Sequence, residues 1–216
     1  MKLLLENWRE YIKESPTESI APEIMSMIDN LDKAGGTVDI DKYVIRIQHN
    51  GSTIATVEFE PSPTAYGNCL GAMSVTKSDS DGSGFGPLAY DIAMEIAGGL
   101  TSDRAQVSGE ARAVWDYYDK NRSDVKKDQL DNLKNFLTPE EEDNCEQLSA
   151  QHDDVTGRAG GYWPDSALSK KYSKSGTPVV DELNKRGMFA QATPQAKQAK
   201  GGGLMSKLRQ IFGGAK

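Results

Sequence analysis

The sequence predicts a mixed α/β (α+β) domain, and three observations carry that expectation. Two runs of alternating β-branched residues, KYVIRIQ (42–48) and TIATVEFE (53–60), flank His49-Asn50-Gly51-Ser52. Asn-Gly tolerates positive φ at both central positions of a tight turn, so the pair reads as a β-hairpin. A third run, LGAMSVTK (70–77), leads into the glycine-rich stretch SDSDGSGFG. Directly behind it, Leu88, Ala89, Ile92, Ala93, Ile96 and Ala97 recur at helical period.

The remaining elements follow in chain order. Residues 4–14 read as an amphipathic helix with Leu4, Leu5, Trp8, Tyr11 and Ile12 on one face, stopped by Pro16. A second helix is expected over 20–33, where Ile24, Met25, Ile28 and Leu31 share a face before Gly35-Gly36. Pro61 and Pro63 end the second hairpin strand. Pro87 suits the first turn of the helix over 87–97, and Gly98-Gly99 closes it. LTSDRAQV (100–107) supplies a short strand or a connection. Ser108 then caps a helix whose inner face holds Ala111, Val114, Trp115 and Tyr118.

Thr138 to Glu141 form a T-x-x-E capping pattern with Pro139 at the first helical position, which predicts an acidic helix through about 149. Residues 152–162 are loop-like. SALSKKYS (166–173) reads as a late strand and TPVVDELNKRGMF (177–189) as a late helix. The chain thus divides into the helix 1–14, a folded domain 20–190, a flexible linker 191–203 and a basic amphipathic helix 204–212.

Composition narrows the function classes. The chain has 216 residues, 37% of them hydrophobic, and a formal net charge of −7, which gives it no general attraction for nucleic acid. Five basic residues and no acidic one lie beyond 190, so any contact with DNA would be local and without sequence specificity. Two cysteines, Cys69 and Cys145, and two histidines, His49 and His152, are too few and too scattered for a zinc site or a disulfide framework, which points to a reducing cytosol. No apolar run approaches the ~20 residues of a membrane-spanning helix.

The glycine stretch admits three readings. A strand, three glycines (82, 84, 86) and a helix N-terminus make a phosphate cradle, because backbone N–H groups left unpaired there attract an anion. Asp79, Asp81, Ser83 and Gly84 match positions 1, 3, 5 and 6 of a calcium loop, but position 12 is Tyr90 where a bidentate Glu is required. The third reading is a plain connection between strand and buried helix. A Rossmann unit fails because the preceding strands form a hairpin.

The order helix, antiparallel strands, glycine loop, helix, short strand, helix resembles the GCN5-related N-acetyltransferase family, with SDGSGFGPLAYDIAMEIAGGLTSDRAQVSGEARAVWDYY resembling its acetyl-coenzyme A region. The resemblance implies a mostly antiparallel central sheet flanked by helices, acetyl-coenzyme A as cofactor and acetyl transfer to an amine. In the family an R/Q-x-x-G-x-G/A loop binds the pyrophosphate through backbone amides. That implies a loop site at Asp81, Gly82, Ser83, Gly84, Phe85 and Gly86, with Met73, Ser74 and Val75 lining the pantetheine and acetyl group.

Two departures are visible. Asp81 stands where the family has Arg or Gln, which sets a negative charge beside a polyanion, and Trp115 stands where it often has an acidic tyrosine. Tyr118, or less directly Tyr117, is the substitute proton donor, packing being the alternative for both. Glu58 is the candidate base. The N-terminus, WREYIKE before Ser15, resembles the capsid-targeting propeptides of tailed-phage head proteins, which implies cleavage between Glu14 and Ser15. That resemblance implies a host-cytoplasmic protein incorporated into the virion head, with a capsid or scaffold protein as partner of the terminal helices. The competing reading is a non-catalytic head-associated protein that reuses the fold.

Overall fold

A computed structural model describes residues 20–132, 137–148 and 163–190. The helix 1–14, the cleavage point at Glu14 and Ser15, the linker 191–203 and the helix 204–212 lie outside these residues.

Within them the chain is a mixed α+β fold. Helix α1 (Pro22–Lys33) precedes β1 (Thr37–Asp41), β2 (Val44–His49), β3 (Ser52–Pro61) and β4 (Met73–Ser80). Helix α2 (Gly86–Ala97), β5 (Leu100–Thr101) and α3 (Gly109–Asn121) follow. β6 (Lys126–Gln129), β7 (Lys170–Ser173) and α4 (Pro178–Lys185) complete it. The seven strands form one sheet in the order β1-β2-β3-β4-β5-β7-β6. All neighbours are antiparallel except β4 and β5, which run parallel.

Local signals account for much of this. Asn50 (φ 51°) and Gly51 (φ 75°) form the turn between β2 and β3, as two residues in the left-handed region require. Pro87 lies in the first turn of α2, and the Ser108 hydroxyl accepts from Ala111 N at 3.2 Å to cap α3. Helix α2 is buried from Leu88 through Glu95 and packs against β2, β3, β4, β5 and β7, with α1 and α4 beside it. Ile24, Ile28, Leu31, Ile45, Ile47, Phe59 and Leu88 are fully or almost fully buried in the core it anchors.

Several expectations are corrected. Strands β1 and β6 were not anticipated, and the late strand and helix are shorter than expected, at 170–173 and 178–185. No helix begins at Thr138. The Asp131 carboxylate instead accepts from the N–H groups of Leu137 (3.0 Å) and Thr138 (2.9 Å), and the Thr138 hydroxyl turns to Asp143. A nearby side-chain acceptor thus takes the donors that would open a helix.

The cysteines are also corrected: Cys69 and Cys145, 76 residues apart, are joined as a disulfide. Backbone bonds bring the two segments together, with Cys69 N donating to Asn144 O (2.9 Å) and Leu70 N to Glu142 O (2.7 Å). The buried Arg104 guanidinium closes this second small core, donating to the carbonyls of Ser102, Cys145 and Leu168. Burial pushes it down to about 9.

Candidate functional site: a split sheet and a glycine loop

The parallel pair β4–β5 is only two residues long, Met73 with Leu100 and Ser74 with Thr101. Beyond it β4 continues for six residues while β5 ends. The register against β3 slips between Glu58/Lys77 and Phe59/Val75, so Thr76 is the extra residue of a β-bulge. A bulge bends its strand and re-aims the following side chains. Here it coincides with the point where the sheet opens.

A cleft occupies the opening in two compartments. The first, about 730 Å³, lies among Thr56, Ser78, Gly84, Glu110 and Tyr117. The second, about 530 Å³, lies between Val75–Ser78 and the 103–108 connection after β5. Ser78, Tyr90, Ser108 and Ala111 line both and so form the neck between them.

The glycine loop borders the larger compartment. Gly82 (φ 84°) and Gly84 (φ 87°) adopt left-handed backbone that a side chain would strain. Helix α2 has no side-chain cap, and among the described residues the N–H groups of Gly82, Gly84, Phe85 and Gly86 donate to no other group. Open space surrounds the three glycines where a Cβ would stand. Unpaired donors in the loop and at the helix N-terminus behind it suit an anion.

Ser83 differs from its neighbours: its N–H already donates to Asp81 Oδ1 at 2.9 Å, while Asp81 N extends the sheet by donating to Ile54 O. Ser83, through its hydroxyl and then its N–H, holds the exposed Asp81 carboxyl below the ordinary range. Asp79 and Glu110 place two carboxylates in the cleft wall itself, and Glu110 is also held low by its bonds at the start of α3. The donors suit a phosphate, and the rim opposes a large polyanion.

The other sequence-predicted residues are distributed unevenly. Val75 lines the cleft. Met73 and Ser74 sit in the paired stretch below it, and the Ser74 hydroxyl is bonded to Ser62 at 2.8 Å. Phe85 packs on the main core.

Tyr118 is fully buried, and its hydroxyl lies against Asp91 Oδ1 (2.8 Å) and Pro87 O (3.1 Å), so its proton is engaged inside the protein. Burial first, then the Asp91 charge, raise its pKa well above the ordinary phenol. Tyr117 lines the cleft but donates to Glu23 Oε1 at 3.1 Å. Glu58, between the inward-facing Val57 and Phe59, pairs with Lys77 at 3.7 Å. Trp115 is a packing residue, 5.2 Å from the Tyr172 ring and 5.6 Å from that of Tyr90.

Several cleft residues escaped the sequence reading, among them Ser78, Glu110 and Tyr90. Tyr90 entered it only as a misfit for a calcium loop, yet it stands at the neck. The signal was a tyrosine beside Asp91 in an otherwise aliphatic buried helix, LAYDIAMEIA.

Compared with protein-family models, curated proteins and solved structures, the chain matches none. Among the described residues no helix is long and apolar enough to cross a membrane.

Proposed function

We propose that the cleft binds an acyl thioester of coenzyme A and that the domain is an N-acetyltransferase-like protein acting on an amine. The observation that carries this reading is the continuity of the β4–β5 split with the glycine loop. One groove runs from a phosphate-sized set of free amides to an opened strand edge. The order of elements around it is the one in which the resemblance to GCN5-related N-acetyltransferases consists.

In this reading the amides of Gly82, Gly84, Phe85 and Gly86 hold the diphosphate, and the edge from Val75 to Ser78 lines the pantetheine. When bound, the cofactor supplies an acyl group activated toward amines. The chain then contributes mainly position and fixed dipoles. Tyr118 keeps the base of the cleft rigid, because its hydroxyl is already bonded to Asp91. The carboxylates of Asp79 and Glu110 attract a cationic amine toward the same wall.

A second reading, a non-catalytic head-associated protein, is favoured by one observation: the Asp81 carboxylate occupies the Ser83 amide and adds a negative charge to the glycine loop. The proposal extends to a host-cytoplasmic protein incorporated into a particle head. The joined Cys69 and Cys145 suit the particle better than the reducing cytosol.

Calorimetry with acetyl-coenzyme A separates the readings. Saturable binding below millimolar concentration is expected. Absence of heat at millimolar ligand overturns the enzyme. Mass spectrometry of protein recovered from particles is expected to show a chain starting at Ser15, and an intact Met1 would refute the processing.

A further inference from the structure

Tyr90 is 3% exposed, yet its hydroxyl makes no hydrogen bond in the structure. Buried polar groups are nearly always paired, so an orphan calls for a cause. A phenylalanine would fill the same space. The ring is held edge-on to Trp115 at 5.6 Å and 88°, and it lies 5.9 Å from the ring of Tyr118.

The position of the orphan is specific. Tyr90 is one helical turn past Gly86 and belongs to the neck, opposite Ser78 of β4. Burial pushes the phenol pKa up, opposed in part by the Ser78 hydroxyl, which stands near it outside hydrogen-bond geometry. The group therefore stays protonated at neutral pH and serves as a donor, not a base. Its two aromatic neighbours fix the ring, so it needs little reorganisation to meet an incoming acceptor.

We propose that the Tyr90 hydroxyl donates a hydrogen bond to a carbonyl oxygen of the ligand's acyl-pantetheine arm where the arm passes the neck of the cleft. The proposal rests on the thioester reading above and names the residue that recognises the arm as distinct from the phosphates. Ligand entry then satisfies a donor that the protein's own groups leave unmet, so the hydroxyl contributes to binding alone.

The test is Tyr90→Phe in the full chain, with two probes. Acetyl-coenzyme A carries the arm, and adenosine 3′,5′-bisphosphate lacks it. The variant is expected to keep or slightly raise the melting temperature, to bind acetyl-coenzyme A about tenfold more weakly, and to bind the bisphosphate as the unchanged protein does. Equal affinity of both proteins for acetyl-coenzyme A overturns this inference and leaves the thioester reading standing. Failure of the unchanged protein to bind acetyl-coenzyme A overturns both. Equal weakening toward both probes, or a variant that melts early or fails to fold, assigns the hydroxyl a structural partner and overturns the inference alone.

Discussion

Helix α2 carries two adjacent residues in opposite circumstances. Tyr90 lines the cleft and its buried hydroxyl is unpaired. Asp91, fully buried, accepts from Tyr118 at 2.8 Å, from both terminal nitrogens of Arg122 at 2.9 and 2.7 Å, and from Lys174 at 2.8 Å. One turn on, Glu95 extends the saturated side by accepting from Val179 N (3.0 Å) and Val180 N (2.9 Å), closing the N-terminus of α4, which Thr177 leaves without a side-chain cap. On one side of the helix the charged groups tie α3, β7 and α4 together. On the other, Tyr90 lines the cleft with its hydroxyl unpaired.

The division can be broken most severely at Asp91. Asp91→Ala removes the fully buried carboxylate from the Arg122 and Lys174 network, leaving Arg122 with Asp124 and Lys174 with Glu95 and Asp124, a change that costs about 3 kcal/mol. Urea unfolding measures it, and a loss below about 1 kcal/mol would show the network to be dispensable.

The next effect is set by pH. Burial, opposed by the Val180 and Val179 N–H groups and by Lys174, pushes Glu95 up to about 7 from an ordinary 4.5. The folded state therefore binds this proton more tightly than the unfolded chain does. Its contribution is fully present below the unfolded value and is lost as pH rises through 7. Between pH 5 and pH 8 the unfolding free energy is expected to fall by about 1–3 kcal/mol. Glu95→Gln is expected to flatten the curve, and stability that rises over this range contradicts the assignment.

The smallest effect sharpens the contrast between two phenols. Tyr118→Phe removes a bonded hydroxyl and leaves part of Asp91 unmet, for a loss of about 1–2 kcal/mol. Tyr90→Phe removes an unbonded one and is expected to cost nothing. Thermal unfolding of the two variants side by side decides it, and equal losses would erase the distinction.

Legibility in the sequence followed the range of the forces. The Asn50-Gly51 turn, the Ser108 cap and the Pro87 start are local, and each is where the residues put it. Strands β1 and β6 are the two edges of the sheet. TVDID and KKDQ lack the long β-branched runs that marked the inner strands, and pairing alone makes them strands. The helix at Thr138 failed because the Asp131 and Asp143 side chains on either side of it take its donors, and the Cys69–Cys145 pair because its partners lie 76 residues apart. At the site, glycine spacing located the loop, while the bulge at Thr76 and the orphaned Tyr90 exist only once β3, β4 and α3 are assembled around them.

The most direct measurement follows the backbone amides themselves. In ¹⁵N-labelled protein titrated with acetyl-coenzyme A, the resonances of Gly82, Gly84, Phe85 and Gly86 are expected to shift and to gain protection from exchange, with Ser83 least affected because Asp81 already holds it. Unmoved loop resonances, or shifts confined to residues away from the cleft, would contradict the account.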